Sequence, residues 1–267
     1  MNKLGLLAGI GRLPVEFARA ARGMGFTVVA IALVPEVDPE LAQVTDKLYH
    51  ISVGQLGAIL DTLQKEGVSE VTMLGKVTKE LMFTGTVEMD EKMRQLLATL
   101  TDYSDDTLML AFVRVLAEAG IGVLDQTKFI KPLLPAPGLY TKRAPTPAEQ
   151  ADMEFGLKMA KAIGGLDIGQ TVVVKDRAVM AVEAIEGTDA CILRGGALGR
   201  GGVTVAKAAK PKQDVRFDMP AVGLDTLQTM VAAGATALVM EAGKTLLVDR
   251  DKVIEFADKH SITIVAM

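Results

Sequence analysis

A single cysteine, Cys191, among 267 residues leaves no partner for an intrachain disulfide, and the chain reads as one kept in a reducing compartment. Histidine is nearly as scarce. His50 and His260 stand far apart without metal-ligand spacing and receive no role, and no Ser-His-Asp set, phosphate-loop signature or paired-cysteine motif can be assembled. Positive charge is not in excess. The 29 Lys and Arg against 33 Asp and Glu give a net charge of −4, the wrong balance for a general nucleic-acid surface. A few well-placed cations would still make a local anion site. Long apolar runs are missing too: the longest, FTVVAIALVP from Phe26 to Pro35, is about half the ~20 residues that cross a bilayer, and reads as a buried strand. The short LGLLAGIG run between Lys3 and Arg12 does not read as a secretory signal. A soluble, cytoplasmic protein that touches a membrane only from outside is the expectation.

What the chain has is apolar material, 49% of its residues, ample for packed cores at a length where two domains become the rule. The first half alternates strand and helix: KLGLLAG, LPVEFARAARGMG, FTVVAIAL, LYHISVG, LGAILDTLQKEG, EVTMLGKV, helical patterning over 91–100 and 106–119, then IGVLDQ. β-Branched strands between helices predict a parallel sheet covered on its faces. From Lys131 the texture changes: KPLLPAPGLYTKRAPTP holds five of the ten prolines and is neither helix nor central strand. Thr146, Pro147 and Glu149 form a capping box with a proline start, so a helix begins there. Beyond Gly165, QTVVVKDRAVMAVEAIEG predicts an antiparallel hairpin turning at Asp176 and Arg177. GGVTVAKAA, ALVMEA, TLLVD and SITIVAM follow as strands, with helices over 224–233 and 250–260. The expected fold is α/β in two domains. Residues 1–130 form a Rossmann-like parallel sheet with flanking helices, 131–146 a proline-rich linker, and 147–267 a mixed-sheet α/β catalytic domain.

Four stretches could carry chemistry. GLLAGIGRLP sets Gly9 and Gly11 between a strand and a helix, either as a phosphate-accepting turn or as tight-turn glycines. The spacing is not that of a dinucleotide fingerprint, and no acid closes the second strand. EAIEGTDACILRGG clusters Glu183, Glu186 and Asp189 with Thr188 and Arg194 around Gly187, either to hold a hard divalent cation or as a capped turn. ALGRGGVTVAKAAKP supplies Arg200 in a glycine run, then Lys207 and Lys210, either for a pyrophosphate or as solvated lysines on a mobile loop. KPKQDVRFDMPAVG alternates apolar Val215 and Phe217 with Asp214, Arg216 and Asp218. As an extended strand it would place the two acids and the arginine in one row. Asp105 and Asp106 in TDYSDDTL, and Asp225, read as helix-start residues.

GGLDIGQTVVVKD, AVEAIEGTDACILRG and KPKQDVRFDMPAVG together resemble the LpxI-type UDP-2,3-diacylglucosamine diphosphatases of Gram-negative lipid A synthesis. LLAGIGRLP, SDDTLML and VMEAGKTLLVDR fit the same family, so the resemblance runs along nearly the whole chain. A departure lies at Ser104, where a glycine before the paired aspartates is expected. The resemblance implies two α/β domains, a divalent cation (Mg²⁺ or Mn²⁺), and hydrolysis of UDP-2,3-diacylglucosamine to UMP and 2,3-diacylglucosamine 1-phosphate. It also implies an essential C-terminal aspartate, and the motif favours Asp218 over Asp214. On that basis Asp218 orients or deprotonates water, Asp214 helps hold the metal, and Arg216 keeps both acids ionised or clamps a phosphate oxygen. Glu183, Glu186 and Asp189 complete the metal shell. Gly9, Gly11, Gly187, Thr188, Arg194, Arg200, Lys207 and Lys210 bind substrate.

The implied partners are a lipid-linked nucleotide sugar and, transiently, the inner-membrane surface. A homodimer is carried as a further expectation. Fourteen methionines suit an adaptable apolar slot for acyl chains, and the linker suits domain opening. Two other readings compete: a UDP-sugar transferase, which would release UDP, and a non-catalytic nucleotide or lipid carrier. Clustered acids beside a phosphate site argue against the carrier.

Overall fold

The computed structural model describes residues 2–77, 88–102, 105–211, 214–217 and 219–267. It divides into two compact units, Met1–Ile130 with Val215–Phe217, and Lys131–Asp214 with Asp218–Met267.

The first unit is built on five strands, β1 (Lys3–Ala8), β2 (Thr27–Ala32), β3 (Lys47–His50), β4 (Glu70–Leu74) and β5 (Gly122–Val123). All pair in parallel, in the order β3-β2-β1-β4-β5. The helices between them are α1 (Leu13–Gly23), α2 (Leu41–Val44), α3 (Leu56–Lys65), α4 (Glu91–Ala98) and α5 (Asp105–Glu118). Their sequence periodicity explains their seating. α1 buries Pro14, Phe17, Ala18 and Ala21, and α3 buries Leu56, Ile59, Leu60 and Leu63, the spacing of one helical face. Those of α3 meet Leu7, Val29, Ile31, Val71 and Met73 in one core cluster. Truncating such a side chain to alanine costs about 2–5 kcal/mol. Phe17 and Phe26 both meet the Phe129 ring edge-on, with centroids 5.1 and 5.0 Å apart.

The second unit holds a six-stranded mixed sheet in the order β6-β13-β11-β9-β7-β8. Its strands are β6 (Gly138–Leu139), β7 (Thr171–Lys175), β8 (Ala178–Val182), β9 (Val203–Lys207), β11 (Ala235–Met240) and β13 (Thr263–Ala266). β9, β11 and β13 run parallel, and β6, β7 and β8 supply the antiparallel pairings. β10 (Ala221–Val222) and β12 (Leu246–Leu247) pair separately. Alternation along each strand feeds two cores. One face packs Val172, Val174, Ala206 and Val239 against Met153, Leu157 and Ala160 of α6 (Pro147–Gly165). The other packs Val173, Val205, Leu238 and Ile264 against α7 (Thr188–Gly199), α8 (Leu224–Ala232) and α9 (Arg250–Lys259).

Several expectations hold in detail. Thr146 and Glu149 close the capping box at the start of α6. The hairpin turns at Asp176 and Arg177, both at positive φ (52° and 56°). Buried Asp152 accepts both turn amides, at 3.0 and 2.6 Å. The proline-rich stretch takes part in the second unit. It contributes β6, and Arg143 in it bonds both oxygens of Glu149 and the carbonyls of Ser261 and Thr236.

Two expectations are corrected. TDACILRGGALG is helix α7, an element not assigned from sequence, where a capped turn at Thr188 and Asp189 was one of two alternatives. Val215–Phe217 form a turn in place of the expected extended strand, and Asp218, the end of the expected row, lies outside the described residues. Alternation alone does not make a strand without a neighbouring ladder.

Candidate functional site

In the first unit the strand order reverses between β1 and β4, and ligands of open parallel sheets sit at the carboxyl ends of strands beside such a reversal. The loops leaving these two strands touch backbone to backbone. Gly9 N–H donates to Leu74 O at 2.8 Å, and Ile10 and Lys76 exchange hydrogen bonds of 2.9 and 2.8 Å. A Cβ on Gly9 would lie 2.6 Å from Lys76 O, so this close approach accounts for the glycine. Gly11, at φ 109° with nothing within 4 Å of its Cβ position, is the open part of the turn. Beside it the Arg12 guanidinium binds Asp38 at 3.1 Å and also Glu40. Asp38 and Glu40 lie in the loop after β2, beyond Glu36, and both are engaged by this cation.

In the second unit, pairing places Thr171 of β7 opposite Lys207 of β9, bringing the start of one strand to the end of the other. The Lys207 side chain is at this end, only 8% exposed, and its Nζ donates to Thr188 Oγ1 at 2.9 Å. Thr188 donates to Glu183 Oε1 at 2.8 Å, and Glu183 Oε2 accepts the Gln170 amide at 3.3 Å. Thr188 is the first residue of α7, whose N-cap, Gly187 at φ 81°, offers no side-chain cap. A buried ammonium, a hydroxyl and the positive end of a helix dipole therefore meet at one strand end, an arrangement suited to phosphoryl oxygens.

The other expected residues fall around or away from this point. Lys210 pairs with Asp167 at 2.7 Å. Arg194 binds Glu186 and donates to Val182 O at 2.8 Å. Glu186 is held below the usual carboxylate range by its own backbone amide, by Arg194 and by the Ala184 amide. Asp189 is exposed in the first turn of α7. Arg200 is the left-handed C-cap of the same helix, twelve residues from Thr188 and so about 18 Å along the axis. It precedes β9 whereas Lys207 ends it, so the structure does not bring these two cations together. Asp214 is half-buried, and the Arg216 guanidinium lies 5.9 Å from the Phe217 ring centroid. Val215 O accepts from Gln126 N–H at 2.9 Å, and Phe217 packs against the core of the first unit. Asp218 lies outside the described residues, as do Ser104 and the side chains of Asp105 and Asp106.

Glu183 and Glu186 are engaged by the donors above, and among the described residues no group of three or more His, Cys, Asp or Glu is placed to hold a metal ion.

Glu241 was missed from sequence. It follows β11, its N–H bonds Lys207 O at 3.0 Å, and its carboxylate takes Ala209 N–H at 3.1 Å with Lys161 and Lys244 at 3.2 and 3.0 Å. Burial opposes its charge, but the two lysines outweigh that and hold its pKa low. It therefore anchors the chain just where the KPKQDVRFDMP segment departs. A lone acid ending the apolar run ALVM was the available signal.

Residues 3–133 match the LpxI N-terminal domain, and residues 136–265 match the LpxI C-terminal domain. A protein of Caulobacter vibrioides named UDP-2,3-diacylglucosamine pyrophosphatase LpxI is 34% identical over 97% of this chain and 95% of its own length. A bifunctional purine biosynthesis protein PurH of Mesorhizobium japonicum is 33% identical over 48% of this chain and 23% of its own. Among solved structures, the biotin carboxylase subunit of pyruvate carboxylase aligns over 69% of this chain and 38% of its own, with 15% identity and a TM-score of 0.28. The N5-carboxyaminoimidazole ribonucleotide synthetase of Thermotoga maritima aligns over 70% of this chain and 42% of its own, with 16% identity and a TM-score of 0.25. Scores this low carry no argument about this fold.

Proposed function

The chain belongs to the LpxI family, and we propose that it hydrolyses the pyrophosphate of UDP-2,3-diacylglucosamine to UMP and 2,3-diacylglucosamine 1-phosphate in lipid A biosynthesis. The observation that carries this reading is 34% identity, spanning 97% of the chain, to a protein named for that activity. The cation site at Lys207 and Thr188 supports it, because the two charged phosphoryl groups repel an incoming nucleophile until donors neutralise them. In this reading Lys207 and the first amides of α7 hold phosphoryl oxygens, with the Thr188 hydroxyl orienting the ammonium and Gly11 admitting another part of the substrate. Asp218 orients or deprotonates the attacking water. Arg216 clamps an oxygen or keeps the neighbouring acids ionised.

A divalent cation belongs to the proposal on chemical grounds: when bound, Mg²⁺ or Mn²⁺ neutralises phosphoryl oxygens and acidifies water. Asp214 and Asp218, the two acids of the KPKQDVRFDMPAVG motif, are the ligands proposed for it. The substrate's acyl chains keep it in a bilayer, so contact with the inner-membrane surface is part of the reading.

The test is to incubate the purified chain with the substrate, in Mg²⁺ and in EDTA, and to measure UMP. Release that EDTA stops, and that Asp218→Asn lowers at least about a hundredfold with folding intact, is the expected result. Release of UDP would assign a transferase instead, and tight binding without turnover would assign a carrier.

A further inference from the structure

At one end of the C-terminal sheet, two loops carry aliphatic side chains out into water. Between α6 and β7, Leu166 is 72% and Ile168 47% exposed; between β8 and α7, Ile185 is 100% exposed. The loops are immediate neighbours. Glu183 N–H donates to Thr171 O at 2.9 Å, Gln170 N–H reaches the Glu183 carboxylate at 3.3 Å, and a Cβ on Gly169 would lie 2.2 Å from Glu183 O. Both open at the strand end where Thr171 pairs with Lys207.

Single exposed aliphatic residues on a soluble surface need no explanation, but three on adjoining loop tips do. A fully exposed isoleucine is a protrusion and has no walls to enclose a small ligand. Nearby charges nearly balance. Asp167 binds Lys210 at 2.7 Å, Glu186 binds Arg194, Lys207 is linked through Thr188 to Glu183, and Asp189 adds one negative charge. The rim therefore offers apolar groups with little net charge, which matches the apolar phase of a membrane more closely than its anionic surface.

We propose that this end of the second unit docks on a lipid bilayer, inserting Leu166, Ile168 and Ile185 among the acyl chains. The choice of a bilayer as occupant rests on the proposed function, whose substrate carries two acyl chains. Docking there would set the Lys207 and Thr188 site against the membrane surface, where the lipid's pyrophosphate is presented.

The test is co-sedimentation of the full chain with phosphatidylcholine vesicles, with and without phosphatidylglycerol, at low and high salt and without substrate. Binding that ignores salt and anionic lipid is expected. Ile185→Ser and Leu166→Ser should each lower the partition coefficient about tenfold. Both should keep wild-type UMP release from a short-chain, water-soluble substrate analogue. Variants that bind as the wild type does, binding stripped by salt, or no binding by any form would overturn the proposal. Loss of turnover on the soluble analogue with vesicle binding unchanged would also overturn it, by assigning the tips to the substrate's own chains. A chain that docks as expected but releases no UMP keeps the docking surface and loses the function.

Discussion

The ammonium of Lys207 donates to the Thr188 hydroxyl at 2.9 Å, and that hydroxyl donates onward to Glu183 at 2.8 Å. One strand end, one helix start and one hairpin exit are thereby tied together, and the cation is fixed at the amino end of α7. If it holds a phosphoryl oxygen, Lys207→Met should lower kcat/KM about a hundredfold while keeping most of the side-chain volume. Thr188→Val, which cuts the chain of bonds but keeps the charge, should cost about tenfold. Steady-state kinetics on both variants decide the point; a Lys207→Met enzyme of wild-type efficiency would remove the residue from the site.

Glu241 holds the Ala209 amide ahead of the motif segment. Glu241→Gln weakens its bonds to Lys161 and Lys244 and should cost about 1–2 kcal/mol in urea unfolding. Hydrogen exchange at the Ala209 amide should quicken. Unchanged exchange would mean that this carboxylate does not position the segment.

Acid should loosen the second unit through Glu149. Burial alone would raise its pKa, but Arg143, the Thr146 amide and the Thr236 hydroxyl outweigh burial and hold it at about 2. A carboxylate depressed in the folded state contributes stability that is complete above its ordinary value of 4.5 and is lost as pH falls from there towards 2. Arg143→Gln should raise the folded pKa and so flatten this part of the pH–stability curve. Curves of equal slope between pH 4.5 and 2 for the two proteins would contradict the assignment.

Cys191 should be inert. Burial first, then the nearby Glu183 carboxylate, pushes its thiol up to about 12, so almost no thiolate exists at neutral pH. A thiol reagent should modify it only at the rate of opening of the second unit, and rapid labelling of the native chain would show that α7 does not seal it.

The strands and longer helices of the first unit were legible because each carries its own period: α3 shows its buried face in Leu56, Ile59, Leu60 and Leu63, whereas the four residues of α2 are too few to show one. The α6 start was legible because a capping box is local, and the hairpin because its turn is. α7 was not, since Gly195 and Gly196 are poor helix formers and weaken the local signal. The structure uses Gly195 to press the helix onto β7, where a Cβ would lie 2.5 Å from Val173 Cβ. Val215 and Phe217 alternate as a strand would, yet among the described residues no ladder meets them, and the Val215 carbonyl bonds the Gln126 amide instead. Lys207, Thr188 and Glu183 were each named from sequence, but their joining depends on the Thr171–Lys207 pairing, which no local spacing encodes. Sequence nearness grouped Arg200 with Lys207, and the length of β9 separates them.

The central claim is cleavage within the pyrophosphate, and the most direct measurement is ³¹P NMR of the products formed from UDP-2,3-diacylglucosamine. UMP and a sugar 1-phosphate in equal amounts, absent with Asp218→Asn, is the predicted result. UDP with free diacylglucosamine, or the same products from the Asp218→Asn chain at wild-type rate, would contradict it.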